Sequence, residues 1–364
     1  MKYDFSYSFP AVRGIQAKRE YYIAMCPLKL IPKLFLFDEE EIPVEYRSQR
    51  VINKRRIPEI SNYILENPDD YVFSSITASV DGDMEFINLG DNTNQNVGML
   101  MVSMEARFLI NDGQHRRAAI EEALNINPEL GNETISVVFF EDQGLKRSQQ
   151  LFSDLNKHAV NTTKSIGILY DSRDPLATIT KEIIQSNDIL RKLTDLESSS
   201  LSKFSPKVFT LSTIHSTNKR LLGVKKNDTI AIDSEDFLIN FWDQLANSIS
   251  EWNEVYNKKL SANELRKNFI CSYGIVLEAI GMIGHEMFKV RPDDWKNTLS
   301  KLDKIDWSRN NKDLWLNRVY NQSGRINKNF QAIKLTKNQI KKELKLPLEQ
   351  DEMKIEEQFL KEEY

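Results

Sequence analysis

The chain has 364 residues, 40 % hydrophobic and 28 % charged, which is enough apolar material for one large or two ordinary globular domains and too much for a disordered protein. A formal net charge of −4 excludes a protein that coats a polyanion by bulk attraction, so any nucleic-acid contact has to come from local basic patches. The two cysteines, Cys26 and Cys271, suit neither a disulfide framework nor a zinc spacing, and no stretch reaches the roughly 18 apolar residues of a membrane span, so a reducing cytoplasm is the expected location.

In chain order, the opening MKYDFSYSFPAVRG lacks the unbroken apolar core of a secretory signal. REYYIAMC (19–26) has the aromatic and β-branched content of a strand. IPEISNYILENP (57–68) places Ile57, Ile60 and Ile64 on one face and stops at Asn67-Pro68, which predicts a helix. YVFSSITASV (71–80) alternates like a strand, DGD (81–83) signals a tight turn, and MEFINL (84–89) is expected to return as its hairpin partner. VGMLMVS (97–103), ARFLI (106–110) and ISVVFF (135–140) complete a short-stranded mixed sheet. GLKRSQQLFSDLNKHA (144–159) predicts a further helix through Leu145, Leu151, Phe152 and Leu155.

After residue 165 the apolar period becomes 3.6. Stripes run through Ile179, Ile183, Ile184, Leu190 and Leu193, then Phe237, Leu238, Phe241, Trp242, Leu245 and Ile249, then Leu265, Phe269, Tyr273, Val276, Leu277, Ile280, Met287 and Phe288. These aromatic-rich stripes read as core rather than as a binding groove. The expected fold is an α/β (α+β) lobe with a short-stranded mixed sheet over 1–165 and a mainly α-helical lobe over 166–330. A charged helical tail is expected over 331–364.

The most informative stretch is NDGQHRR (111–117), set between a strand-like and a helix-like segment. Asp112 is expected to cap the helix, and Gly113 to relieve the bend and let another atom approach the backbone. The helix start favours an anion, and Gln114, His115, Arg116 and Arg117 bring side-chain donors to the same end. No acid four residues upstream is expected to make an ordinary helix pair with either arginine. The turn therefore reads as a phosphate or nucleotide cradle.

Three other basic stretches accompany it. Lys54, Arg55 and Arg56 precede the 57–68 helix, Lys219 and Arg220 lie in STNKRLLGVKK (216–226), and Lys337, Lys341, Lys342 and Lys345 lie in LTKNQIKKELKLP (335–347). Lys54, Arg55, Arg56, Lys219, Arg220, Lys341 and Lys342 are the candidate DNA contacts. Asn156 and Lys157, in LNKHAVNTTKS (155–165), are candidates to orient a phosphate, and Thr162 or Thr163 to begin the next element. No metal site is expected, because histidines 115, 158, 215 and 285 are scattered, and there is no Walker A loop.

NDGQHRRAAI resembles the signature of the DGQHR-domain family. The NKRRIPEISNYILENPDDYVFSSITASVDG block, the LFSDLNKHAVNTTKSI block and LTKNQIKKELKL extend the resemblance over most of the chain to the DndB family of bacterial DNA phosphorothioation (dnd) systems. More distantly, the turn is similar to the Gly-x-His-Arg turn of ParB-type partition proteins and sulfiredoxins, which implies a ParB/sulfiredoxin-like first lobe and phosphate contact by Gly113, His115 and Arg116. The glycine–cysteine pair of sulfiredoxins and the helix-turn-helix of partition proteins have no evident counterpart.

The family resemblance implies a DNA-binding regulator of a phosphorothioation gene cluster, with promoter DNA of the modification genes as its partner and other phosphorothioation proteins as further candidate partners. A nucleoside triphosphate, ATP or CTP with or without Mg, is the cofactor expected if there is one. The alternative is a nucleotide hydrolase or DNA-nicking enzyme, with Asp112 as base or metal partner, His115 as proton donor and Arg116 stabilising charge on phosphorus. A scaffold that docks modification enzymes through its helical lobe is a third reading.

Overall fold

The computed structural model describes residues 5–35, 53–89, 95–144, 147, 150–151, 154–155, 162–224, 228, 230, 234–290, 294–326 and 329–363. Two compact units divide the chain, Met1–Val160 and Asn161–Tyr364.

The first unit is built on seven strands: β1 (Ser6–Gln16), β2 (Arg19–Pro27), β3 (Ile76–Asp81), β4 (Met84–Asn88), β5 (Val97–Ser103), β6 (Arg107–Asp112) and β7 (Thr134–Glu141), in the order β4-β5-β1-β2-β7-β3-β6. The β3–β7 pair is parallel and the other pairs are antiparallel. Among the described residues, helices α1 (Ile31–Leu34), α2 (Ile57–Glu66) and α3 (Gln114–Ile126) accompany them. Alternation decides the buried face: Ile135, Val137 and Phe139 of β7 are buried, while the residues between them are half-buried. They share a core with Phe9, Ala24, Val80, Leu100 and Phe108 of other strands and with Phe35, Ile64 and Ile120 of the helical layer.

Two expectations for this unit need correction. MEFINL is not the hairpin partner of the strand before it: β4 pairs with β5, and β3 with β6 and β7. Asp81-Gly82-Asp83 is a bend inside one long ribbon whose other strand bends at Met104–Ala106, so β3-β4 runs antiparallel to β5-β6 throughout. Ser103 N–H donates to Asp83 O at 3.1 Å across the bend, and a Cβ on Gly82 would lie 2.7 Å from Ala106 Cβ. The bend curls the sheet until Phe108 of β6 meets Tyr7 of β1, ring centroids 6.0 Å apart. The other correction is β1 itself, whose Pro10 and Gly14 mask a central strand. Pro10 pairs only with Met99 of β5, because the β1–β2 ladder starts one residue later at Ala11, so its missing N–H removes no bond on the β2 side.

The second unit is helical: α4 (Lys164–Tyr170), α5 (Pro175–Ser186), α6 (Asp188–Leu193), α7 (Leu211–Leu222), α8 (Ser234–Ser248), α9 (Ser250–Tyr256), α10 (Ala262–Asn268), α11 (Gly274–Val290), α12 (Trp295–Ser300), α13 (Lys312–Trp315), α14 (Phe330–Glu343) and α15 (Gln350–Glu363). A two-residue parallel pair, β8 (Thr194–Asp195) with β9 (Phe209–Thr210), joins α6 to α7. The apolar stripes are core, with Ile183, Leu190, Leu238, Phe241, Trp242, Leu265, Val276 and Ile280 all buried. Trp242 Nε1 donates to Asn218 Oδ1 at 2.6 Å, and Asn218 Nδ2 donates to Thr180 Oγ1 at 3.0 Å, so these three side chains pair their polar atoms inside the core, whereas the buried Thr194 and Ser272 hydroxyls have no hydrogen-bond partner among the described residues. Among the described residues no helix is long and apolar enough to cross a membrane.

The final stretch is not a solvated tail. α14 packs on α11, and Ala332, Ile333, Leu335, Lys337, Ile340 and Lys341 are buried. Lys341 Nζ donates to Glu286 Oε2 at 3.0 Å and to Glu352 Oε2 at 2.6 Å, and Lys337 Nζ pairs with the same two glutamates. Arg318 forks onto Glu356, Nη1 to Oε1 at 2.7 Å and Nη2 to Oε2 at 2.8 Å, beneath the ring of Phe359. Burial works against ionisation of both Glu352 and Glu356, yet the hydrogen bonds from Lys337 and Lys341, and from Arg318 and Lys342, hold both carboxyls below the usual range. Lysines spaced along a helix read as a wet face in sequence, but here three of the four on α14, Lys337, Lys341 and Lys342, point at glutamates brought from elsewhere in the chain.

Candidate functional site

The NDGQHRR segment forms the strand-turn-helix expected of it. β6 ends at Asp112, Gly113 turns the chain with φ +111°, and α3 begins at Gln114. Only glycine suits this position, since a Cβ would lie 3.0 Å from both Arg116 Nη2 and Ile76 Cγ1 in a left-handed backbone. Gly113→Ala is therefore expected to destabilise the first unit by about 1–3 kcal/mol. Hydrogen exchange of the α3 amides measures this, and unchanged protection would contradict it.

The side chains of the turn are used differently from the expectation. Gly113, not Asp112, is the N-cap, and no side chain caps α3. The Asp112 carboxylate accepts from Arg116 Nη2 at 2.7 Å, an i, i+4 pair, and the same Nη2 donates to Ser75 O at 3.0 Å. Arg117 Nε donates to Phe35 O at 3.1 Å and Nη2 to Pro32 O at 3.2 Å, while Nη1 pairs with Glu121 four residues on. Arg116 thus makes the upstream helix pair that was not expected, Arg117 pairs downstream, and both tie α3 to neighbouring segments: Arg116 to the entry of β3, Arg117 to α1. Arg116 Nε and Asn111 Nδ2 are buried and have no hydrogen-bond partner among the described residues.

His115 reaches in a third direction. Its Nε2 accepts from Asn53 N–H at 3.1 Å, which requires a lone pair on that nitrogen and removes it as a proton donor in this arrangement. Asn53 in turn caps the next turn, its Oδ1 accepting from Arg55 N–H at 3.2 Å. That turn is Lys54–Arg56, a single 3-10 turn running directly into α2, and all three basic residues are exposed. The segment after the strand therefore positions the basic triplet, through one imidazole and one asparagine. Asn53 and Ser75, which make these links, were missed in the sequence because a backbone N–H and a carbonyl carry no residue-type signal. The Asp112–Arg116 and Arg117–Glu121 pairs were legible from their four-residue spacing.

The remaining candidates belong to the second unit or lie outside the described residues. Arg220 donates from Nε to Glu278 Oε2 at 3.0 Å and stacks on Phe330, with 4.9 Å from its Cζ to the ring centroid. Lys219, half-buried, lines a cavity of about 410 Å³ with Arg220, Val224, Met282, His285 and Glu286. Lys341 is buried between two glutamates and has no exposed ammonium to offer DNA, so it leaves the set of DNA contacts; Lys342 is exposed but paired with Glu356. Thr163 begins α4 as its N-cap, its hydroxyl accepting from Ile166 N–H at 3.1 Å. Asn156 and Lys157 lie outside the described residues. Both cysteines are buried thiols, and burial pushes Cys26 up to about 12, so it is no nucleophile.

No curated protein and no solved structure matches the chain. A family model does: that of DndB, described as DNA-sulfur modification-associated, aligns with residues 9–347, nearly the whole chain and every described element from β1 to α14. On that match the chain belongs to the DndB family of proteins associated with DNA sulfur modification.

Proposed function

We propose that this protein is a DNA-binding regulator of its sulfur-modification genes, and that it meets the DNA backbone through Lys54, Arg55 and Arg56. The observation that carries this reading is the hydrogen-bonded mounting of the triplet through Asn53. Three cations in one exposed turn, capped by Asn53 and linked to α3 through His115, can hold a fixed register on phosphates. In the same reading the NDGQHRR turn is the mount rather than the cradle, since its arginines are spent on Asp112, Ser75, Phe35 and Pro32. Such contacts carry no sequence information of their own. Their signature is electrostatic.

The test is the salt dependence of binding to duplex DNA from upstream of the modification genes. Each phosphate contact contributes roughly 0.9 to the slope of log affinity against log salt, so Arg55→Ala with Arg56→Ala is expected to flatten it by roughly 1.8. Affinity should fall on all duplexes alike. An unchanged slope would remove these residues from the interface.

A second reading keeps a ligand at the turn itself. α3 starts without a side-chain cap, so its first amides point where a phosphate could accept from them, as a bound ATP or CTP would. Titration calorimetry with ATP and CTP, with and without Mg, tests it; no heat with either nucleotide would discard it. The hydrolase variant has weaker support, because Asp112 and Arg116 neutralise each other and His115 Nε2 is an acceptor.

A further inference from the structure

Between β8 and β9 the chain runs through LESSSLSKFSPKV (196–208), a loop held at both ends. On one side the Asp195 carboxylate accepts from Glu197 N–H at 2.9 Å and Ser198 N–H at 2.7 Å, and Ser165 Oγ of α4 donates to Ser198 O at 2.8 Å. On the other side, Arg266 of α10 closes over the loop. Its Nη2 donates to the carbonyls of Ser202 at 3.0 Å, Lys203 at 3.2 Å and Ser205 at 3.0 Å, and its Nη1 donates to that of Lys207. A guanidinium spent on four carbonyls of one short segment fixes its backbone.

At the crest of this clasped loop stands Phe204, 87 % exposed, more than any other large apolar residue described. A flexible loop would fold such a ring away from water; this one holds it out. The chemistry around the ring is cationic and hydroxylic. The Lys203 ammonium lies 5.9 Å from the ring centroid and Ser199, Ser200 and Ser202 are exposed, while Lys207 Nζ is held by Lys192 O at 2.7 Å and the loop's acid, Glu197, stands at its start beside Asp195. An apolar pocket on another protein would match the ring alone. A nucleic acid matches ring, ammonium and hydroxyls together, because every base step offers a stacking face between two phosphates.

We propose that Phe204 is a wedge that inserts at a base-pair step of duplex DNA, with Lys203 and the hydroxyls of Ser200 and Ser202 on the flanking phosphates. The proposal rests on the reading of the protein as DNA-binding and adds what the basic triplet lacks, an element that touches bases. Partial unstacking favours flexible pyrimidine–purine steps, so the wedge would contribute selectivity through deformability rather than through hydrogen bonds to base edges.

The test uses the full chain and a short duplex from upstream of the modification genes, carrying 2-aminopurine at successive positions in separate preparations. Native protein is expected to raise the fluorescence at one step. Phe204→Ala should abolish that rise and weaken binding about 5- to 100-fold, whereas Phe204→Trp should keep both. The exposed ring makes no core contact, so the melting temperature of Phe204→Ala should match native.

Native protein that binds the duplex with no rise at any position, and with the same affinity after Phe204→Ala, overturns the wedge and leaves the DNA reading standing. Native protein that binds no duplex even at low salt overturns both. Phe204→Ala that keeps DNA binding but loses association with the other purified proteins of the modification system overturns the wedge in favour of a protein partner.

Discussion

Glu356→Ala is expected to destabilise the helical unit by about 3–5 kcal/mol, the largest effect of any single substitution considered for it. Arg318 and Glu356 each keep only 6 % of their side chains exposed, and the guanidinium meets the carboxylate through two parallel bonds. Removing the acid leaves a buried cation whose remaining neighbours are the Leu335 carbonyl and the Phe359 ring. The loss would exceed the net worth of the pair, because most of it is the desolvation of an uncompensated charge. All five tryptophans lie in this unit, so tryptophan fluorescence during urea unfolding reports on it. A midpoint unchanged within error would show that Arg318 finds another partner.

The same cluster sets a pH dependence. Glu352 and Glu356 titrate below the ordinary 4.5 in the folded chain, so their contribution is present above that value and is lost as the pH falls through their lower folded values. Lys337 is shifted the other way: burial lowers its affinity for a proton, but the hydrogen bonds its ammonium donates to Glu286 and Glu352 win and raise it above 10.5. Its contribution is present below 10.5 and is lost as the pH rises through the higher folded value. The helical unit should therefore lose stability steeply below about pH 4.5 and only at strongly alkaline pH on the other side.

Arg117→Ala is expected to be the most damaging change within the NDGQHRR turn, costing the first unit about 2–4 kcal/mol. The side chain is 18 % exposed and holds α3 to two carbonyls of the α1 segment, Pro32 O and Phe35 O, which are left without their donor when it is cut back. Arg117→Lys should recover only part of the loss, since an ammonium cannot reproduce a fork that serves two carbonyls and Glu121 together. Hydrogen exchange over α1 and α3 distinguishes the outcomes. Equal protection in native protein and Arg117→Ala would mean that the apolar contacts of Ile31, Phe35 and Ile120 suffice alone.

What the sequence disclosed follows from the range of the interactions involved. Apolar period and local punctuation marked α2, the strand-turn-helix around Gly113 and the helical stripes from Ile183 to Met287, because each depends on residues a few places apart. The pairing of β4 with β5 rather than β3 was not legible, since a ribbon bent at Gly82 and a hairpin turned there share one local signal. Lys341 misled for a related reason: its glutamates, 286 and 352, come from α11 and α15, and nothing in LTKNQIKKELKLP names them. At the turn, the residue types were legible and their duties were not. His115 serves a backbone amide sixty-two positions away, and Arg116 and Arg117 serve carbonyls that any sequence could supply.

In the proposed function His115 acts on DNA only through Lys54, Arg55 and Arg56. A double-mutant cycle on duplex affinity tests it most directly: His115→Ala, the triple alanine replacement of residues 54–56, and the two combined. If His115 only mounts the basic turn, its replacement weakens binding in the native background and has no further effect once the three cations are gone. Equal losses in both backgrounds would mean that the NDGQHRR turn meets the nucleic acid itself, and the mount would be the wrong description.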